Sequence, residues 1–321
     1  MRIVTRLALA ALMLAPASSA WAQMAQTWPE RSVRLITPVP PGGSPDVVAR
    51  LFAEKLSERW KTSVVVENRP GADGVLGIRA MLDADDGHTL LVAPSGMLTV
   101  TPAIKSVPFN LADFQPLSTA AVDFLAVAVP ASSAVQSLQG LVAAARGKPG
   151  AINWFASAGA PAIAFTEFLR KNRLEMVYVP YKGGPEALRD LSEDRIQVAL
   201  VPLAPVLSFA TAGTVRLIAV TNPERAPNLP QVPTAIEAGH PELAFEGVLG
   251  FLASKSMSKG ASARAAADIQ AVADDPFIRD RLLKGGQVAK SSTSMAYERL
   301  LSEQSQHWGH VAKSQGASSR N

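Results

Sequence analysis

Apolar positions along the chain fall into short β-branched runs that alternate with stretches of helical spacing. Residues 33–37 (VRLIT) are the first such run, and PVPPGG at 38–43 breaks it. Ser44 then offers a helix cap and Pro45 suits a first helical position. Val47, Val48, Leu51, Phe52 and Leu56 follow at i, i+3, i+4 spacing, which predicts a helix. The same reading predicts strands at 63–67 and 89–93, a helix at 75–84, and a short helix beyond the turn at 94–96. A second series follows. Its strands are predicted at 124–129, 152–155, 176–179, 197–201 and 215–221. Its helices are predicted at 138–145 (capped by Ser137), at 162–171, from Pro185 onward, and at 203–212. A further strand at 248–253 precedes helices at 261–273, 277–284 (stopped by Gly285) and 295–313, with a frayed tail beyond. Strand–helix alternation of this kind predicts an α/β protein with mainly parallel sheets covered by helices. Two series predict two domains: 27–122, then 123–240, with 241–321 returning to the first. The crossings are expected near 121–123 and along the proline-rich stretch 222–239.

The N-terminus changes the picture of where this chain works. Arg2 and Arg6, the apolar run 7–17 and Ala20-Trp21-Ala22 have the grammar of a cleavable secretion signal, residues 1–22. The run is shorter than the ~20 apolar residues a spanning helix needs. The expected product is an exported, soluble protein of the periplasm. It has no cysteine, so its stability cannot draw on disulfides. Removing the signal takes away Arg2 and Arg6 and brings the formal charge of +4 closer to balance. Nothing resembles a basic stripe with interleaved aromatics, so a nucleic-acid partner is not expected.

Candidate chemistry sits in the loops that leave the strands. In open α/β sheets, ligands bind at the carboxyl ends of strands. Each helix that begins there exposes unpaired N–H groups and the positive end of its dipole. Loops 40–46, 93–99, 156–161 and 181–185 are glycine- or serine-bearing turns of this type, and together they could hold an anion without arginine. Ser44, Ser95 and Ser157 add hydroxyls. Asp46 could stabilise its own helix start or face the ligand. Lys182 could meet a carboxylate or pair with a nearby acid. Tyr181 could be a ligand wall or an interface residue.

Over these residues the sequence resembles the Bug-type periplasmic solute-binding proteins, the binding component of tripartite tricarboxylate transporters. The matching stretches are WPER at 28–31, PVPPGGSPD at 38–46, VVVENRPGADG at 64–74, DGHTLL at 86–91, VPYKG at 179–183, LIAVT at 217–221, LPQVPT at 229–234 and EAG at 237–239. The resemblance implies a two-domain type II periplasmic-binding-protein fold with a ligand cleft between the sheets. It implies a small-carboxylate ligand, with a membrane permease as partner. A sensory role, presenting the acid to a membrane sensor, is the alternative, and a monomer is expected. Carried over by position, the ligand-binding residues are Pro41, Gly42, Gly43, Ser44 and Asp46; Ser95 and Gly96; Ser157, Ala158 and Gly159; Tyr181, Lys182 and Gly183; and Val201 at its strand end.

The sequence also departs from the family pattern. Ala160-Pro161-Ala162-Ile163-Ala164 replaces a loop usually rich in Asn, Gly and Ser or Thr, and Val201-Pro202-Leu203-Ala204 lacks the usual acid or amide. These changes predict a less polar second wall, and a ligand with one carboxylate and an apolar or aromatic body. Catalysis is not expected. There is no G-x-S-x-G elbow and no cysteine nucleophile, and none of His88, His240, His307 or His310 is placed to serve as a base. No cofactor or metal is expected either; His307 and His310 read as an exposed helix face.

Overall fold

The computed structural model describes residues 28–314, so the expected secretion signal and residues 315–321 lie outside the described residues. The strands are β1 (Val33–Thr37), β2 (Val64–Asn68), β3 (Thr89–Pro94), β4 (Phe114–Asp123), β5 (Leu125–Pro130), β6 (Asn153–Ala156), β7 (Val177–Tyr178), β8 (Val198–Pro202), β9 (Val215–Val220), β10 (Gly247–Ser254) and β11 (Gln287–Ala289). The helices are α1 (Ser44–Trp60), α2 (Val75–Ala84), α3 (Ser95–Thr99), α4 (Thr101–Ile104), α5 (Leu138–Gly147), α6 (Ala160–Asn172), α7 (Gly184–Ser192), α8 (Leu203–Thr211), α9 (Lys259–Ala273), α10 (Pro276–Lys284) and α11 (Ser294–Ser314). Among the described residues no helix is long and apolar enough to cross a membrane.

The strands make two sheets, ordered β11-β4-β10-β3-β1-β2 and β7-β6-β8-β5-β9. This is the expected two-lobed α/β architecture, but the sheets are mixed rather than mainly parallel. β1 pairs in parallel with β2 and β3, and β6 with β7 and β8. Pairs β10–β3, β10–β4, β11–β4, β5–β8 and β5–β9 are antiparallel. The reason is the double crossing of the chain. β4 leads through Phe124 directly into β5, and β10 returns from the second lobe. Strands that pass between lobes run against the βαβ strands they join. Strand–helix alternation in sequence carries no sign of that.

Apolar burial follows both faces of each sheet. β3 is buried along nearly its whole length, as a strand covered by helices on both sides must be. On one face of the first sheet, Phe52 and Leu56 of α1 pack with Phe251, Ile269, Ile278 and Leu282. On the other, Ile78 and Met81 of α2 meet Leu91, Leu252 and Tyr297. Gly250 in β10 leaves the space that Tyr297 fills: a Cβ there would lie 2.5 Å from the phenol ring. The second sheet is sandwiched between a cluster holding Trp154, Phe165 and Phe168 and one holding Phe155, Leu188 and Val206.

α9 and α10 pack on the first sheet, with Ala265, Ile269, Ile278 and Leu282 in its core. α11 does more than that. Its Tyr297 and Leu301 are buried in the first lobe, and its Trp308 and Ala312 in a second-lobe cluster. The proline-rich stretch stays on the second lobe, where Val220 bridges to Thr234 and Ala235, Ala238 and Leu243 are buried.

Candidate functional site

A cleft of about 640 Å³ lies between the lobes, walled by the loops that follow β1, β2, β3, β6, β7 and β8. The helices that start at this cleft share one feature. α1, α2, α3, α6, α7 and α8 begin after Gly43, Gly74, Pro94, Gly159, Gly183 and Pro202, and none of them has a side-chain cap. Apart from the single-turn α4, which follows Val100 without a side-chain cap, the described helices that start elsewhere are capped: α5 by Ser137, α9 by Ser258, α10 by Asp275, and α11 by Thr293, whose hydroxyl accepts from Ala296 N at 3.2 Å. First-turn N–H groups have no intrahelical partner. Where a Ser or Asp is missing, that role falls to solvent or to a bound anion. The walls between these turns are largely apolar, with Met97, Leu125, Phe155, Phe245 and Trp308 among them.

The lobes touch across the cleft. A Cβ on Gly159 would come 3.1 Å from the backbone of Gly96, and one on Gly96 would come 3.2 Å from Ala160 N. A Cβ on Gly183 would overlap the Pro40 ring, at 2.7 Å. Glycine therefore permits backbone-to-backbone approach at one contact and packing of Pro40 against bare backbone at the other. The arrangement is a closed one.

Of the residues expected from sequence, Gly43, Ser44, Ser95, Gly96, Ser157, Ala158, Tyr181, Lys182 and Gly183 line this cleft. Pro41, Gly42, Asp46, Gly159 and Val201 are not part of its wall. Val201 is fully buried in the second-lobe core. Asp46 faces inward beneath the first loop. It accepts from Gly42 N at 2.9 Å, Arg50 Nε at 3.1 Å and Asn68 Nδ2 at 2.9 Å. Burial would raise its pKa, but the bonds from Arg50, Gly42 and Asn68 outweigh that and hold the carboxyl below the usual carboxylate range. Asp46 thus pins the loop that presents Gly43 and Ser44.

Ser44 is not the cap expected of it. Gly43 occupies the cap position and Ser44 is the first helical residue. Its hydroxyl accepts from Gln287 Nε2 at 2.8 Å and bonds to the Asp123 carboxyl. Tyr181 packs edge-on against Phe155, centroids 5.4 Å apart, and its hydroxyl donates to Asp190 at 2.6 Å. Burial and the Asp190 bond push the phenol up to about 12. Lys182 donates its backbone N–H to Glu186, and among the described residues no carboxylate lies within ion-pair distance of its ammonium.

Several lining residues went unnoticed in sequence. Asp123 was placed only at a crossing, yet it is 4% exposed and lines the cleft. Burial drives its pKa up to about 7, against the opposing hydrogen bonds from Ser44 and Gln287. Gln304 and Trp308, one turn apart on α11, also reach the wall, more than 50 residues after any other lining residue. No periodicity could assign them there, because they lie on a helix expected to return to the first domain. None of the histidines lines the cleft. His88 contacts Asp86 O, His240 pairs with Glu242, and His310 contacts Gln306 O.

The profile of the "tripartite tricarboxylate transporter family receptor" matches residues 48–317. Protein BugT of Bordetella pertussis is 28% identical over 323 residues, covering 99% of this chain and 99% of its own length. The structure of the periplasmic binding protein BugD shares the fold, with a TM-score of 0.85 at 24% identity over 91% of this chain and 100% of that one. An R. palustris protein solved with adipate superposes with a TM-score of 0.86 at 27% identity, covering 90% of this chain and 98% of that one. The chain therefore belongs to the tripartite tricarboxylate transporter receptor family, as a solute-binding protein of the Bug type.

Proposed function

We propose that this receptor works in the periplasm, where it captures a small organic acid with one carboxylate and an apolar body and hands it to a membrane permease, with no catalytic step. The carboxylate would sit against the uncapped helix starts at Gly43–Ser44, Pro94–Gly96 and Gly183–Gly184, gripped by main-chain N–H groups in charge-assisted hydrogen bonds. Among the described residues Lys182 is the one side-chain cation on the wall, and it would add to the attraction. The body would lie against Leu125, Phe155 and Phe245. The observation that carries this reading is the contrast between bare helix starts at the cleft and the capped starts of the longer helices elsewhere. The adipate-bound relative supports the acid class and an aliphatic body. Hinges are proposed at Phe124 and at Glu246, where the chain passes between the sheets.

The test is calorimetry on purified protein stripped of ligand, against mono-, di- and tricarboxylates. Monocarboxylates with apolar bodies should bind and citrate should not. Tight binding of citrate without binding of any monocarboxylate overturns the proposal. Loss of uptake of the bound acid in a deletion strain would support the permease as partner. A lost gene response with uptake intact would favour a sensor instead.

A further inference from the structure

Around Asp123, acceptors outnumber the donors that could satisfy them. Asp123 ends β4 at the crossing between lobes and is almost wholly buried, and it lines the cleft. Its partners are neutral. Ser44 hydroxyl bonds to it, and Gln287 Nε2 approaches Oδ1 at 3.4 Å. Among the described residues no cationic side chain bonds to it. The other acids on the wall are neutralised: Asp73 by Lys105, and Glu246 by Lys290 at 3.2 Å. Beside Asp123, Gln287 uses its amide NH2 on Ser44 and Asp123, and its Oε1 is buried without a partner. A buried carboxyl held by two neutral donors, with a spare acceptor next to it, lacks a cationic donor. Ionised carboxylates are tolerated inside proteins when a positive charge faces them.

Ser44 connects this acid to the anion-binding turn. Its backbone N–H, at the first helical position of α1, has no intrahelical acceptor. Its hydroxyl meanwhile touches Asp123. One residue thus spans a place for a carboxylate and a place for an ammonium. An α-amino acid carries those two groups on a single carbon. A dicarboxylate or a simple fatty or aromatic acid brings no donor to Asp123 and leaves its charge unmet.

We propose that Asp123 is a specificity-determining residue that receives the ammonium of the ligand, so that the cargo class is an α-amino acid with an apolar side chain. This rests on the receptor reading above and narrows it. The head group binds with its carboxylate on the Gly43–Ser44 turn and its ammonium on Asp123, while the side chain extends along the apolar wall.

The test compares matched acids on one skeleton by calorimetry: phenylalanine, 3-phenyllactate and 3-phenylpropanoate, then leucine, 2-hydroxy-4-methylpentanoate and 4-methylpentanoate. In the wild-type protein the amino acid of at least one set should bind at least tenfold tighter than its hydroxy and unsubstituted counterparts. Asp123→Asn should erase that preference while the stripped protein melts no lower than wild type. The wild-type comparison needs no variant, so a poorly folded substitution cannot mask the answer. An unsubstituted or hydroxy acid that binds as tightly as its amino counterpart overturns the inference and leaves the receptor reading standing. If no carboxylate of any kind binds, the receptor reading fails and takes the inference with it.

Discussion

Asp123 makes the protein's stability depend on pH in a direction opposite to Asp46, Asp86 and Asp268. Its pKa of about 7 in the folded chain lies above the value of about 4 for an exposed aspartate. The folded state therefore holds that proton more tightly than the unfolded one. Stability is greatest while Asp123 is protonated, erodes as pH climbs from about 4 to about 7, and stays low above that. Without ligand, Asp123→Asn should raise Tm relative to wild type at pH 8 and leave it nearly unchanged at pH 4.5, read by thermal melts at both. Asp268 behaves in the opposite way. It is 3% exposed and receives Trp60 Nε1 at 2.8 Å together with Arg59 and Arg264. Burial alone would raise its pKa, but the bonds from Arg59, Arg264 and Trp60 keep it low. Its stabilisation is present above the ordinary carboxylate range and is lost as pH falls through the lowered value. Asp268→Ala strands a buried indole N–H and should cost about 2 kcal/mol at pH 7 in urea unfolding, with ligand affinity unchanged. Neither residue stood out in sequence, because burial and partners drawn largely from distant segments, Ser44 and Gln287 for one and Arg59 and Trp60 for the other, decide what each acid does.

At the scale of elements, capping separates the longer structural helices α5, α9, α10 and α11 from those placed at the cleft. Ser137→Ala removes an acceptor 3.1 Å from Gly140 N and should cost about 1 kcal/mol of stability without touching affinity. The elements legible in sequence were those with clean local signals. β1 and α2 have the expected bounds, and Ser137 and Gly285 flank their helices as read. β4 was not legible. Gln115, Pro116, Ser118 and Thr119 dilute its apolar pattern, and its pairing with β10 slips in register twice, which accommodates Pro116 inside a sheet. The Thr119 hydroxyl finds its acceptor far along the chain, donating to Lys290 O at 2.7 Å. β11 is a short strand that exists through its pairing with β4. Of the candidate site, the turns were readable because glycine and proline mark them. Asp123, Gln304 and Trp308 were not, since the fold alone brings them to the wall.

For the whole molecule, the contacts across the cleft set what closure requires. Gly183 has an extended φ of 177°, which any residue can adopt, so a side chain there meets resistance only from Pro40 on the opposite lobe. Gly183→Val should leave the stability of the stripped protein unchanged and weaken ligand binding at least tenfold, about 1.4 kcal/mol, by calorimetry. Small-angle scattering of the liganded variant should give a larger radius of gyration than that of the liganded wild type. An unchanged affinity would mean that the Pro40–Gly183 contact is not needed for capture. The glycine contact on the other side has its own consequence. Gly96 and Gly159 meet backbone to backbone and Pro40 sits on Gly183, so two contacts join the lobes across the cleft. Where release waits for both to break, the slowest dissociation would be timed by the parting of the lobes. Cargoes of quite different affinity would then share one upper limit on how fast they are let go.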